Sequence, residues 1–163
     1  LGNTLAMTNL GWMYANGRGV AKDESRACEL YQKAAKLGDA DAMNRLGLMY
    51  ANGRGVAKDE SRACELYQKA ANLGNTLAMT NLGRRYAYGR GGVPKNIPQA
   101  IHWLQRAVDL GYKPAKQYLQ KHQSQASTPI ASASLAPTAQ AAAEPATTPQ
   151  ERDEHPAKKA RTN

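Results

Sequence analysis

The stretch GWMYANGRGVAKDESRACELYQKAAKLG, Gly11 to Gly38, returns 36 residues later as Gly47 to Gly74 with 26 of its 28 positions unchanged. Only Trp12/Leu48 and Lys36/Asn72 differ. Working outward, Leu1 to Gly11 recurs without a change as Leu73 to Gly83, and one extra glycine at Gly91-Gly92 carries the register on to Ala100 and Ala107. A period between about twenty and fifty residues marks stacked structural units, each unable to bury its apolar face alone.

Each unit reads as two helices. Ala6, Met7, Leu10, Gly11 and Tyr14 form one apolar stripe of a 3.6-residue period, repeated as Ala42, Met43, Leu46, Gly47 and Tyr50. A second stripe, Ala27, Leu30, Tyr31, Ala34 and Ala35, recurs as Ala63, Leu66, Tyr67, Ala70 and Ala71, and then as Ala100, Trp103, Leu104, Ala107 and Val108. Asn16-Gly17 and Gly38 stand where left-handed C-terminal caps belong, and Asp23, Asp39 and Asn96 where N-caps belong, with Pro98 in the following first turn. Gly11, Gly47 and Gly83 fall inside the first helix, where glycine costs about 1 kcal/mol against alanine. The expectation is that they let the partner helix, with its small Ala27-type residues, come close.

The pattern A-M-x-x-L-G-x-x-Y-x-x-G-x-G-V-x-x-D-x-x-x-A-x-x-L-Y-x-x-A-A-x-x-G, from Ala6 to Gly38, resembles the Sel-1-like repeat, a relative of the tetratricopeptide repeat. The third unit departs from it by the extra glycine and by Leu104 in place of the second-helix tyrosine. The resemblance implies an all-α, right-handed α/α superhelical solenoid that acts as an adaptor in protein complexes, often in bacterial signalling, envelope or host-interaction proteins.

The expected organisation is a repeat array over 1–122, with units 1–38, 39–74 and 75–111 and a C-terminal capping helix 112–122. In the cap, Ala115 and Leu119 take the places of Ala6 and Leu10, and Gln120 replaces the repeat glycine. From Gln123 onward, Ala, Pro, Ser, Thr and Gln supply 29 of the last 41 residues, so 123–163 is expected to be a disordered tail. Its Lys158-Lys159-Ala160-Arg161 cluster reads as an ordinary solvated basic group. Leu1 to Leu5 lacks an initiator Met and a leader pattern, which reads as a start at a repeat junction and leaves the compartment open. An uncapped apolar face at that end would favour self-association.

Several classes of chemistry are excluded or disfavoured. No apolar run approaches the roughly 20 residues that cross a bilayer as a helix. Cys28 and Cys64 occupy the same place in successive units, one helix pair apart, too far for a disulfide and suited to semi-buried packing. The disulfide-stapled subclass of these repeats, with two cysteines per unit and reported binding of β-lactam-type ligands, does not fit a chain with one cysteine or none per unit. A hydrolase of that kind is therefore disfavoured. The histidines His102, His122 and His155 show no zinc-site spacing, and neither a nucleophile elbow nor a phosphate-cradling loop is present. Neither metal, cofactor nor catalysis is expected. Glu29 with Lys33 and Glu65 with Lys69 read as surface pairs of i,i+4 spacing.

Charge is uneven. Residues 1–72 carry 10 basic and 8 acidic groups, whereas 73–122 carry 8 basic and 1 acidic, and the tail has four of each. The excess lies at the C-terminal end of the repeat array, where it would attract an acidic surface. Nucleic acid or another polyanion is the alternative ligand. Within first helices, the residues off the packed stripe are Asn9, Arg45 and Asn81, then Trp12, Leu48 and Arg84, with Met13, Met49 and Arg85 beside them. The units are nearly identical elsewhere and vary here. The expectation is a non-catalytic scaffold whose first-helix face is a shallow apolar-to-basic groove for an acidic or amphipathic protein segment, with Arg84 and Arg85 as its anchors.

Overall fold

Each repeat places an Asn or Asp just before a helical run. In the computed structural model, which describes residues 3–127, each of these starts a helix. The helices are α1 (Thr4–Asn16), α2 (Glu24–Lys36), α3 (Ala40–Asn52), α4 (Glu60–Asn72), α5 (Thr76–Tyr88), α6 (Ile97–Asp109) and α7 (Ala115–Ala126). The side-chain oxygens of Asn3, Asp23, Asp39, Asp59, Asn75 and Asn96 accept from the backbone N–H three residues on. Each such cap stabilises its helix by about 1 kcal/mol. At the other ends of α1, α3 and α5, Gly17, Gly53 and Gly89 adopt left-handed φ values of 66°, 65° and 64° that a side chain would resist. No strand occurs among the described residues.

The helices pack as three antiparallel pairs, α1 with α2, α3 with α4 and α5 with α6. The pairs stack through α2 on α3 and α4 on α5, and α7 closes the series against α6. Tyr31, Tyr67 and Leu104, equivalent residues of the second helices, are wholly buried between layers, each contributing about 1.5–3 kcal/mol of burial. The arrangement is an all-α solenoid of three hairpins and a closing helix.

The interior glycines are explained mainly by these residues. A Cβ on Gly47 would lie 2.7 Å from Cε1 of Tyr67 and 3.3 Å from the Ala63 carbonyl oxygen. On Gly83 it would lie 2.8 Å from Cγ of Leu104 and 3.1 Å from the Ala100 oxygen. The expected approach to the small-residue positions exists, but the nearer neighbour is the large buried side chain one turn further along. Gly11 shows the same contact, 2.8 Å to Tyr31 Cε1.

The verbatim pair of segments 1–11 and 73–83 shows what stacking does to identical residues. In α5, Ala78, Met79 and Leu82 are buried under α4, whereas in α1, Ala6 is exposed and Leu10 is 39% exposed. The expected first-unit stripe is thus buried only on the side facing α2.

The closing helix differs from expectation at both ends. Residues 112–114 form a turn, and the helix runs from Ala115 to Ala126, past the expected stop at His122. The buried His122 holds this segment down, its ring edge-on to Tyr88 at 5.8 Å between centroids. Residues 128–163, the rest of the expected disordered tail, lie outside the described residues.

The expected i,i+4 ion pairs are replaced by pairs formed at helix starts and between layers. The carboxylate of Glu24, at the start of α2, takes Arg54 from the next unit at 2.7 Å and Lys22 at 3.1 Å. Arg54 Nη2 also donates to the Ala15 carbonyl, 3.3 Å away. The Gly53–Val56 turn is pressed against the start of α2. A Cβ on Gly55 would collide with the Glu24 carbonyl, and the Ser25 hydroxyl donates to the Gly55 oxygen at 3.3 Å. The glycine-rich turn is therefore the joint between successive units as well as a connection within one.

Candidate functional groove

In the third unit, the position after the repeat glycine carries Arg84, and the next carries Arg85 where the earlier units have methionine. Both lie on α5, and the exposed Leu48 sits at the Arg84 position one layer back on α3. Between these helices opens a recess of about 610 Å³, lined by residues that include Leu48, Lys58, Glu60, Tyr67, Asn81, Arg84, Arg85, Tyr88 and Arg90. It carries four cations, Lys58, Arg84, Arg85 and Arg90, against the single carboxylate of Glu60.

These cations are held differently. Arg84 is exposed and poised 5.2 Å over the Tyr118 ring of α7. Arg90 and the neighbouring Lys121 flank the Tyr88 ring at 5.8 and 5.7 Å, and Lys121 Nζ donates to the Tyr88 hydroxyl at 3.2 Å. Such ring contacts fix a cation while leaving its charge unneutralised. Arg85 is different: its side chain is only 15% exposed, lies 5.9 Å over Tyr67 and reaches Glu60 at 3.3 Å. Partial burial pushes the Glu60 carboxyl up, but Arg85, Lys58 and Arg90 outweigh it and hold the group below the usual carboxylate range. Burial pushes the Tyr67 hydroxyl up, against the opposing pull of Arg85 and Arg84.

Of the nine residues singled out in the sequence, Leu48, Asn81, Arg84 and Arg85 meet in this recess. Asn81 is pinned there by donating to the Asn44 side chain at 3.0 Å. Met49 is 3% exposed and belongs to the core. Trp12 and Met13 lie half-buried in α1, away from the recess; Arg18 stacks over Trp12 at 5.3 Å, and Met13 packs against Gly19. Asn9 is exposed and Arg45 half-buried, and neither lines the recess.

Lys58, Glu60, Tyr88 and Arg90 escaped the sequence reading for two reasons. Lys58, Glu60 and Arg90 recur as Lys22, Glu24, Arg18 and Arg54, so a search for variation between units passes over them. Tyr88 does vary, replacing Asn16 and Asn52, and could have been found by extending that comparison to the last helical residue.

Elsewhere the described residues offer little chemistry. Cys28 and Cys64 are buried and unbridged, and burial pushes the Cys28 thiol up to about 11. Its Sγ donates to the Arg54 carbonyl at 3.3 Å. No group of three or more His, Cys, Asp or Glu residues gathers into a metal-binding cluster, and no helix is long and apolar enough to cross a membrane, in both cases among the described residues. His122 Nδ1 lies 3.1 Å from the Gln125 side-chain oxygen, while Nε2 is buried without a hydrogen-bond partner among the described residues.

A stack of α/α hairpins joined by glycine-rich turns defines the solenoid class of repeat protein. The chain belongs to the Sel1 repeat family, whose model matches residues 4–39, 40–75 and 76–112. Among solved structures it is similar to a Sel1 repeat protein from Oxalobacter formigenes, with 33% identity and a TM-score of 0.71 over 76% of this chain and 51% of that one. It is also similar to a protective antigen present in uropathogenic Escherichia coli strains that displays the same fold, with 32% identity and a TM-score of 0.72 over 77% of this chain and 27% of that one. The cysteine-rich protein B of Helicobacter pylori matches at 27% identity and a TM-score of 0.60, over 71% of this chain and 89% of that one. The chain thus spans about half and about a quarter of the length of the first two. No curated protein matches it. Sel1 repeat proteins are generally protein-interaction scaffolds, and the fold is typically non-catalytic.

Proposed function

We propose that the chain is a non-catalytic adaptor that captures a protein partner on its first-helix face, with the recess between α3 and α5 taking an acidic or amphipathic segment. One observation carries this reading: four cations converge on a recess with a single carboxylate, and two of them, Arg84 and Arg90, are oriented by aromatic rings without forming an ion pair among the described residues. The exposed Leu48 at one side supplies apolar contact next to the charge. Asn9, Trp12, Met13 and Arg45 extend the same series of first helices toward α1 and would meet a longer partner.

The test is affinity capture from nuclease-treated native extract, with the full chain and its Arg84→Glu variant as baits. Arg84 is exposed and in no ion pair among the described residues, so the substitution should leave the thermal midpoint within a degree or two. The expected result is a discrete protein retained by the unaltered chain and lost from the variant. Equal retention by both, or recovery of nucleic acid alone when nuclease is omitted, would overturn the reading.

A further inference from the structure

The second and third units solve the same electrostatic problem in different ways. In the second, the turn arginine Arg54 reaches back to Glu24 of the preceding unit, with Nη2 at 2.7 Å and Nε at 2.8 Å from the same carboxylate oxygen. In the third, the equivalent turn carries the extra Gly92, and the equivalent arginine, Arg90, lies over Tyr88 and forms no ion pair among the described residues. The equivalent carboxylate, Glu60, is taken instead by Arg85 from the recess at the longer distance of 3.3 Å, with Lys58 at 3.4 Å. A close two-nitrogen clamp has been exchanged for a looser contact with a cation that lines the proposed binding recess. Ile97 stands at this place in the last unit, so the fold does not require a carboxylate there.

We propose that Glu60 is an internal competitor for the recess: its carboxylate occupies Arg85 in the free protein and gives it up to a carboxylate of an acidic peptide partner. This deepens the adaptor reading and rests on it. Arg84 and Arg90, in no ion pair among the described residues, make the first contact, and Arg85 becomes available only when Glu60 is displaced. The exchange sets a threshold. A segment with one acidic residue gains little beyond Arg84, whereas one with several can bridge Arg84 and Arg85 and offset the lost Glu60 contact.

Anisotropy of a fluorescein-labelled, alternating Glu-Ala octapeptide titrated with the full chain tests this, with folding of every variant checked by circular dichroism. Glu60→Gln should tighten binding about two- to fivefold, the range expected for removing a partly exposed ion pair. In an Arg85→Met background, which restores the residue of the earlier units, the same substitution should have no effect. Glu24→Gln, which touches only the joint between units, should leave the affinity unchanged. Unchanged or weaker binding by Glu60→Gln, while Arg84→Glu still impairs it, would overturn the competitor and leave the recess intact. Equal tightening with and without Arg85 would overturn it too, since removal of a negative charge alone would then suffice. No binding by either the unaltered chain or Glu60→Gln would bring down the recess reading and the inference together.

Discussion

Gly47→Ala probes the packing between paired helices directly. In an exposed helix the change would stabilise by about 1 kcal/mol, because alanine loses less chain entropy than glycine. Here the new methyl would sit 2.7 and 3.0 Å from two ring carbons of Tyr67 and 3.3 Å from the Ala63 carbonyl oxygen. Carbon atoms pack at about 3.5–4.0 Å, so ring or helix must yield by nearly 1 Å. Tyr67 is 1% exposed and tightly packed except where it borders the recess, which places the overpacking cost at about 2–3 kcal/mol, within the usual range of about 1–3 kcal/mol. The net expectation is destabilisation by roughly 1–2 kcal/mol, or a fall in thermal midpoint of about 5–10 °C for an array of this size. Urea titration followed by far-ultraviolet circular dichroism, with the slope compared as well as the midpoint, reads it out. A variant as stable as the parent, or more stable, would show that the glycine does not serve the tyrosine.

Arg54→Met should lower the urea midpoint at neutral pH by loosening the joint between the first two units. The Arg54 and Lys22 hydrogen bonds hold the Glu24 carboxyl below its ordinary 4.5, so their contribution is complete above that value and is lost as pH falls through the lowered one. The difference between parent and variant should therefore shrink on acidification to pH 3, and a constant difference would contradict it. The Cys28 thiol, raised from 9.0 to about 11, should react with iodoacetamide at pH 8 about a hundredfold more slowly in the native chain than in urea, as mass spectrometry would show; equal rates would contradict its burial. Leu5 and Leu10 are 63% and 39% exposed, so sedimentation should show concentration-dependent association that Leu10→Glu suppresses. An unchanged profile would remove α1 from any self-contact.

The fold was legible because repetition multiplies weak signals. One Asp before one helical run is suggestive, but Asp23 and Asn96 in register fix the starts of second helices, Asp39 fixes that of a first helix, and Gly17, Gly53 and Gly89 fix where the first helices stop. The end of the array was less legible, because helix continuation past His122 depends on its burial against Tyr88, a contact between residues 34 apart in the chain. The recess was half legible. Arg84 and Arg85 stood out because the units differ there, whereas Lys58, Glu60 and Arg90 look the same in every unit that has them; Lys58 keeps the carboxylate contact of Lys22, and Glu60 and Arg90 take new partners in Arg85 and the Tyr88 ring. Met49 shares the Arg85 position but not its role: its side chain is buried in the core, while the Arg85 guanidinium lines the recess.

The central claim is that the first-helix face at the third unit is where a protein partner binds. Hydrogen–deuterium exchange on the full chain with and without its captured partner tests it most directly. Protection is expected over the ends of α3 and α5 and the Gly89–Val93 turn, centred on Leu48, Arg84, Tyr88 and Arg90, with α2 and the outer face of α4 unchanged. Protection confined to the second helices, or to α1 alone, would contradict it.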